Sequence, residues 1–153
     1  MGRLQAYPIE YTEDKLQYRF VSKGAESDIV KIVVYDFWKD NKWNLAFGDA
    51  NSDESDFDDT VISNNQDMRR VIQTIFGTGL IFSDAYPDRR IYIEPVDRKR
   101  KLLYNRVFQD QQLAIEEFYT IHGLIISENK EEKYHAHTLY DAFILTKNSF
   151  IKI

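Results

Sequence analysis

Cysteine is absent from the chain, which excludes disulfides, thiolate nucleophiles and cysteine-ligated zinc or iron–sulfur centres, and points to a reducing, cytoplasmic setting. Only three prolines and six glycines occur among 153 residues, and there is no flexible linker, low-complexity tract or repeat of solenoid period. No run approaches the roughly 18 apolar residues of a membrane helix, and the first thirty residues contain no apolar signal core. The expectation is therefore a chain that neither spans a membrane nor is secreted. Gly2 follows Met1, but Ala6 stands where a myristoylation signal has Ser or Thr. Missing too are a Gly-rich phosphate loop, a nucleophile elbow, a dinucleotide fingerprint and a zinc-protease helix motif, so catalysis has no positive support and no cofactor is indicated.

What is present suits one folded domain. The length fits a single domain over residues 1–153, with 1–16 an extended lead and the core at about 17–148. Ten Tyr, ten Phe and two Trp, with 43% hydrophobic and 29% charged residues, supply a core and argue against disorder. The formal charge of -5 disfavours attraction of the whole surface to nucleic acid or anionic lipid, and leaves room for a local patch.

Period-two alternation predicts a first strand at 17–24, with Tyr18, Phe20 and Ser22 on one face. IVKIVVYDFW (29–38) is apolar on both faces, as a central strand is, and Lys39-Asp40-Asn41-Lys42 turns it into WNLAFGD. That hairpin, over 29–49, brings Trp38 and Trp43 to face each other near its end. The polar stretch 49–59 reads as an acidic surface loop. Met68, Val71, Ile72, Ile75, Phe76, Gly79 and Leu80 follow helical spacing behind capping candidates Ser63, Asn64 and Asn65, and Gly77 and Gly79 weaken the last turns by about 1 kcal/mol each, so the helix ends there or continues towards Phe82 only through packing. Residues 89–95 predict a short strand. A second helix follows, capped by Asp97, with Leu103 and Val107 in its apolar stripe. Residues 118–127 and 140–148 predict an antiparallel ribbon joined by a charged loop. The order is not the regular alternation of a doubly wound sheet. The predicted class is α+β, a mainly antiparallel sheet of about five to six strands with two helices packed on one face.

YRFVSKG, the hairpin from YDF to NLAFGD, SNNQDMRRVIQTI, and the helix start carrying Arg100, Leu103 and Tyr104 together resemble a bacterial family of small proteins known only as a domain of unknown function. The resemblance spans about residues 17–148. It implies a fold and a source, and transfers no catalytic residue.

Three constellations bear on chemistry. Asp49, Asn51 and Asp53 match the first, third and fifth positions of a calcium loop, but Glu54 and Thr60 stand where its glycine and bidentate glutamate belong, so a solvated acidic loop is the better reading. His135 and His137 would point the same way from an extended segment and share a metal with His122 or Glu132, although their spacing alone is common and a surface loop explains it. Arg89, Arg90, Arg98, Lys99, Arg100, Lys101 and Arg106 concentrate positive charge at a strand and a helix start. Their guanidinium forks and the helix N–H groups suit phosphate, and Tyr92 or Tyr104 suits a base; a solvated or self-paired face explains them equally simply. Two readings result. The first is a non-enzymatic interaction module for a protein partner, engaged through the basic segment or the exposed hairpin end. The alternative is an enzyme or binder for a phosphorylated or nucleotide ligand, with Arg98, Arg100, Tyr104 and Arg106 at its site. Homodimerisation through an uncovered edge of 118–127 or 140–148 is compatible with either.

Overall fold

Strand and helix residues are arranged here by burial alternation. The computed structural model of the protein describes residues 6–24, 27–50, 57–58 and 67–149. Its strands are β1 (Glu10–Tyr11), β2 (Gln17–Lys23), β3 (Asp28–Lys39), β4 (Lys42–Ala50), β5 (Phe57–Asp58), β6 (Arg90–Ile93), β7 (Tyr119–Ile125), β8 (Lys130–Lys133) and β9 (Ala142–Lys147); its α-helices are α1 (Met68–Ala85), α2 (Arg98–Asp110) and α3 (Gln112–Glu116). They form one mixed sheet with hydrogen-bonded order β1-β2-β3-β4-β6-β9-β7-β8, β5 lying off this path on β4. The α+β class holds, with corrections. The path has eight strands, a third helix is present, and β4 pairs parallel to β6. The parallel pair follows from connectivity, because the chain between them includes the 18-residue α1, long enough for the crossover that parallel strands require.

The chain divides into two compact units, Met1–Asp36 with Leu45–Tyr86, and Phe37–Asn44 with Pro87–Ile153. In the first, Tyr18, Phe20 and Ser22 of β2 and Val33 and Tyr35 of β3 point inward and are buried. α1 lies against them: Phe82 stacks on Tyr35 with centroids 4.3 Å apart, and the Tyr35 hydroxyl meets Thr78 Oγ1 at 2.9 Å. The helix continues past the glycines towards Phe82, held by packing, as one of the two expected outcomes has it. Gly77 and Gly79 do not end it, because Phe82, one turn further, is fully buried and its burial, about 2 kcal/mol, offsets the glycine cost. The capping candidates Ser63, Asn64 and Asn65 lie outside the described residues; Asp67 is the N-cap. Its Oδ2 accepts from the hydroxyls of Tyr7 and Ser22, each at 2.5 Å, and not from the helix backbone. Burial first, and then this bond, push the Tyr7 hydroxyl above its ordinary pKa.

In the second unit, β6, β9, β7 and β8 run successively antiparallel. Phe108 of α2 stacks on Phe143 of β9, centroids 4.0 Å apart, and Ile115 of α3 is also buried. Asn105 substitutes for a strand partner: its Nδ2 donates to the Tyr140 carbonyl at 2.9 Å and its Oδ1 accepts the Tyr140 N–H at 2.8 Å. On the other side of this sheet, Tyr92, Ala142 and Ile144 form a small apolar cluster with Leu124 against it. The ribbon of β7 and β9 forms as expected, but neither strand is an edge, since β9 lies between β6 and β7, and β8 covers β7. The uncovered edge that motivated a homodimer is thus absent from this pair. β8, whose sequence is KEEK, bears the charged residues typical of a guarded edge.

Candidate functional site

Among the described residues of the second unit, the end of the β3–β4 hairpin carries the two most exposed aromatic rings. Phe37 is 59% exposed and Trp38 41%. Both belong to a 12-residue strand that ends in a turn at Asp40, whose φ of 54° is the left-handed conformation that Asp and Asn tolerate. Alternation sends the two rings to opposite faces. Trp38 stacks on Tyr92 of β6, centroids 4.1 Å apart and planes at 28°, while the Lys39 ammonium sits 4.4 Å from the Trp38 centroid. Phe37 meets Trp43 edge-on at 5.7 Å, and the Arg89 guanidinium lies 3.8 Å above the Trp43 ring. The parallel register sets Trp43 opposite Ile91 and Asn44 opposite Tyr92. The two tryptophans therefore flank the end on different ring partners rather than on each other. Tyr92 donates its hydroxyl to Glu94; burial first, and then that bond, hold its pKa far above the ordinary tyrosine value.

The basic segment is distributed differently from a phosphate clamp. Asp97 caps α2, its Oδ1 accepting the Arg100 N–H at 2.8 Å and its Oδ2 the Arg100 guanidinium at 2.5 Å. The carboxylate that would compete with a phosphate at this helix start is thus built into the chain. The Arg100 N–H bond first, and then the Arg100 charge, lower the Asp97 pKa against the opposing effect of burial. Lys101 pairs with Asp141 at 2.5 Å, and Arg90 donates to Thr146 at 2.9 Å and to Glu131 at 3.1 Å. Arg98, Lys99 and Arg106 are exposed, and Tyr104 is half-buried. Six residues of helix turn Arg100 and Arg106 about 120° apart, so the four candidates are not brought onto one face. Tyr92, the other stacking candidate, is buried under Trp38.

The metal and calcium candidates fare as follows. The segment 136–137 turns, His137 having φ of 68°, which removes the extended geometry that would align it with His135. His122 sits on β7 between Lys133 and Ile144. Among the described residues no group of three His, Asp or Glu is placed to hold a metal ion. Asn51, Asp53, Glu54 and Thr60 lie outside the described residues, and Asp49 faces Lys31 at 2.5 Å.

The Asp141 pair yields a prediction. The Lys101 bond, followed by the N–H of Ile126 at 2.7 Å, lowers the Asp141 pKa. A depressed carboxylate stabilises the fold above its unfolded pKa of about 4 and loses that contribution as pH falls through the folded value. Urea midpoints of the wild type are expected to fall, as pH drops below the unfolded value of about 4, more steeply than those of Asp141→Asn, which lacks the titrating group. Parallel midpoint-versus-pH curves would remove this role.

The fold and the site together define an α+β protein on a mixed sheet with an aromatic hairpin end. The chain belongs to DUF6934, a family of unknown function, whose profile matches residues 3–148. No curated protein and no solved structure matches the chain. No helix among the described residues is long and apolar enough to cross a membrane.

Proposed function

We propose that the protein is a non-enzymatic interaction module that engages a protein partner through the end of the β3–β4 hairpin. The observation that carries this reading is the exposure of Phe37 and Trp38 on rings already fixed by neighbours at Trp43 and Tyr92. Aromatic anchors held in place before binding lose little conformational freedom on association, and Trp and Arg are enriched among the residues that dominate interface energy. The intramolecular pairing of Arg100, Lys101 and Arg90 supports the hairpin end over the basic segment. A phosphorylated or nucleotide ligand at 89–106 has in its favour the exposed Arg98, Lys99 and Arg106.

Affinity capture from the protein's own cells separates the two. Partner recovery is expected to drop about thirtyfold or more for the Phe37→Ala/Trp38→Ala variant, equivalent to about 1 kcal/mol per anchor, and to survive Arg98→Glu/Arg106→Glu. The reverse pattern, with a nucleotide or nucleic acid released by salt, would replace this reading with the phosphate one.

A further inference from the structure

We infer that the outward face of α2 is a second docking surface, separate from the hairpin end, that fits an acidic segment of a protein partner with an apolar side chain between two carboxylates. The first turn of α2 reads Arg98, Lys99, Arg100, Lys101 and has no acidic residue. Four cations there oppose the helix dipole, so the stability of α2 does not account for them. Two are held within the fold, Arg100 by Asp97 and Lys101 by Asp141. Arg98 and Lys99 are exposed, as is Arg106 about two turns on, and among the described residues none of these three makes an ion pair. At 3.6 residues per turn, Arg98, Leu102, Arg106 and Lys99 fall within an arc of about 100°, and Leu102, inside that arc, is 44% exposed. Two carboxylates bound the arc. Asp110 is exposed one turn beyond Arg106, and Asp97 is already held by Arg100, with the Lys99 charge also acting on it.

Spacing and composition select the partner. The rise of the helix sets Leu102 about 6 Å along the axis from Arg98 and from Arg106. In an extended chain, carboxylates two residues either side of an apolar residue reproduce that spacing, at about 3.3 Å per residue. Each then meets a guanidinium through charge-assisted hydrogen bonds while the apolar side chain covers Leu102. Nucleic acid would use the cations and leave Leu102 uncovered. Tyr104, the ring of this helix that could stack a base, is half-buried and lies about 160° round the axis from Arg106. A bilayer requires a broad apolar stripe, and this arc holds one leucine.

Backbone amide resonances of the full chain locate such binding directly. The chain is titrated with a degenerate dodecapeptide library carrying Asp or Glu two residues either side of Leu, Ile or Val, and with the same library carrying Asn and Gln in place of the acids. A thymidine dodecanucleotide and vesicles of phosphatidylserine and phosphatidylcholine are the other two probes. Saturable shifts centred on residues 98–106 are expected with the acidic library, and several-fold weaker binding with the amide library. Arg98→Glu/Arg106→Glu is expected to weaken acidic binding roughly tenfold, Leu102→Ser roughly threefold, and salt to weaken it further. These positions are exposed, and unchanged sheet resonances report that each variant is folded. Equal affinity for the two libraries, or shifts centred on residues 37–43, overturns this docking face. A response confined to the oligonucleotide replaces it with the phosphate reading, and one confined to the vesicles replaces it with a membrane surface. No response to any probe also overturns it, and the capture experiment still tests the hairpin end by itself.

Discussion

Gly123→Ala is expected to destabilise the second unit by about 3 kcal/mol, lowering its urea midpoint by roughly 1–2 M as followed by tryptophan emission. A Cβ built on Gly123 would lie 2.3 Å from Cδ1, 2.4 Å from Cγ and 2.5 Å from Cε1 of Tyr140. The glycine has no positive φ, so it is needed for space and not for conformation. Ordinarily a ring can swing away. Tyr140 is fully buried, and its hydroxyl donates to Glu132 at 2.7 Å and accepts the His135 N–H at 3.1 Å. Asn105 fixes its backbone from both sides. Relief therefore demands breaking those bonds or shifting β7 against β9, either of which exceeds the 0.5–1 kcal/mol or so that alanine gains over glycine in a strand. A double-mutant cycle isolates the contact. In a Tyr140→Ala background, Gly123→Ala should become neutral or mildly stabilising. If the single substitution leaves the midpoint unmoved, the ring does not rest on the glycine.

The contrast between local and distant partners runs through the whole chain. Tyr18, Phe20 and Ser22 were assignable to one face because alternation is a property of neighbouring residues, and the Asp97 cap because its acceptor lies three residues from its donor. Lys130–Lys133 was not legible as a strand. Four charged residues carry no apolar period, and they become β8 only because β7 offers a ladder that sets Glu131 opposite Leu124. Likewise Lys101 reads as a solvated cation until β9 begins forty residues later with Asp141 at its side. At the hairpin end, the tryptophans and the turn were visible in the sequence. Their ring partners Tyr92 and Arg89 were not, since the parallel register of β4 with β6 follows from a crossover that no local pattern encodes.

Lys31 carries the same lesson to its largest energetic consequence. In IVKIVVY it looks like the one polar residue of an apolar strand, and yet its side chain is 2% exposed and its ammonium lies 2.5 Å from Asp49 Oδ1, itself 12% exposed. β2 sets Phe20 opposite it, and Val33 follows it on the same inward face. An ammonium in that setting is tolerable only with its counter-charge, because the cost of removing a charge from water is several kcal/mol and the partner's attraction offsets it. Asp49→Ala is therefore expected to destabilise the first unit by about 3–5 kcal/mol, read as loss of far-ultraviolet ellipticity from the long helix α1 at lower urea. Lys31→Met, which leaves a carboxylate closer to solvent, is expected to cost less. Combining Lys31→Met with Asp49→Leu should recover most of the loss, since a well-packed apolar pair often matches a buried ion pair in stability. Two single costs that simply add in the double variant would mean that the charges do not depend on each other, and the pair would then be two separate polar residues on neighbouring strands.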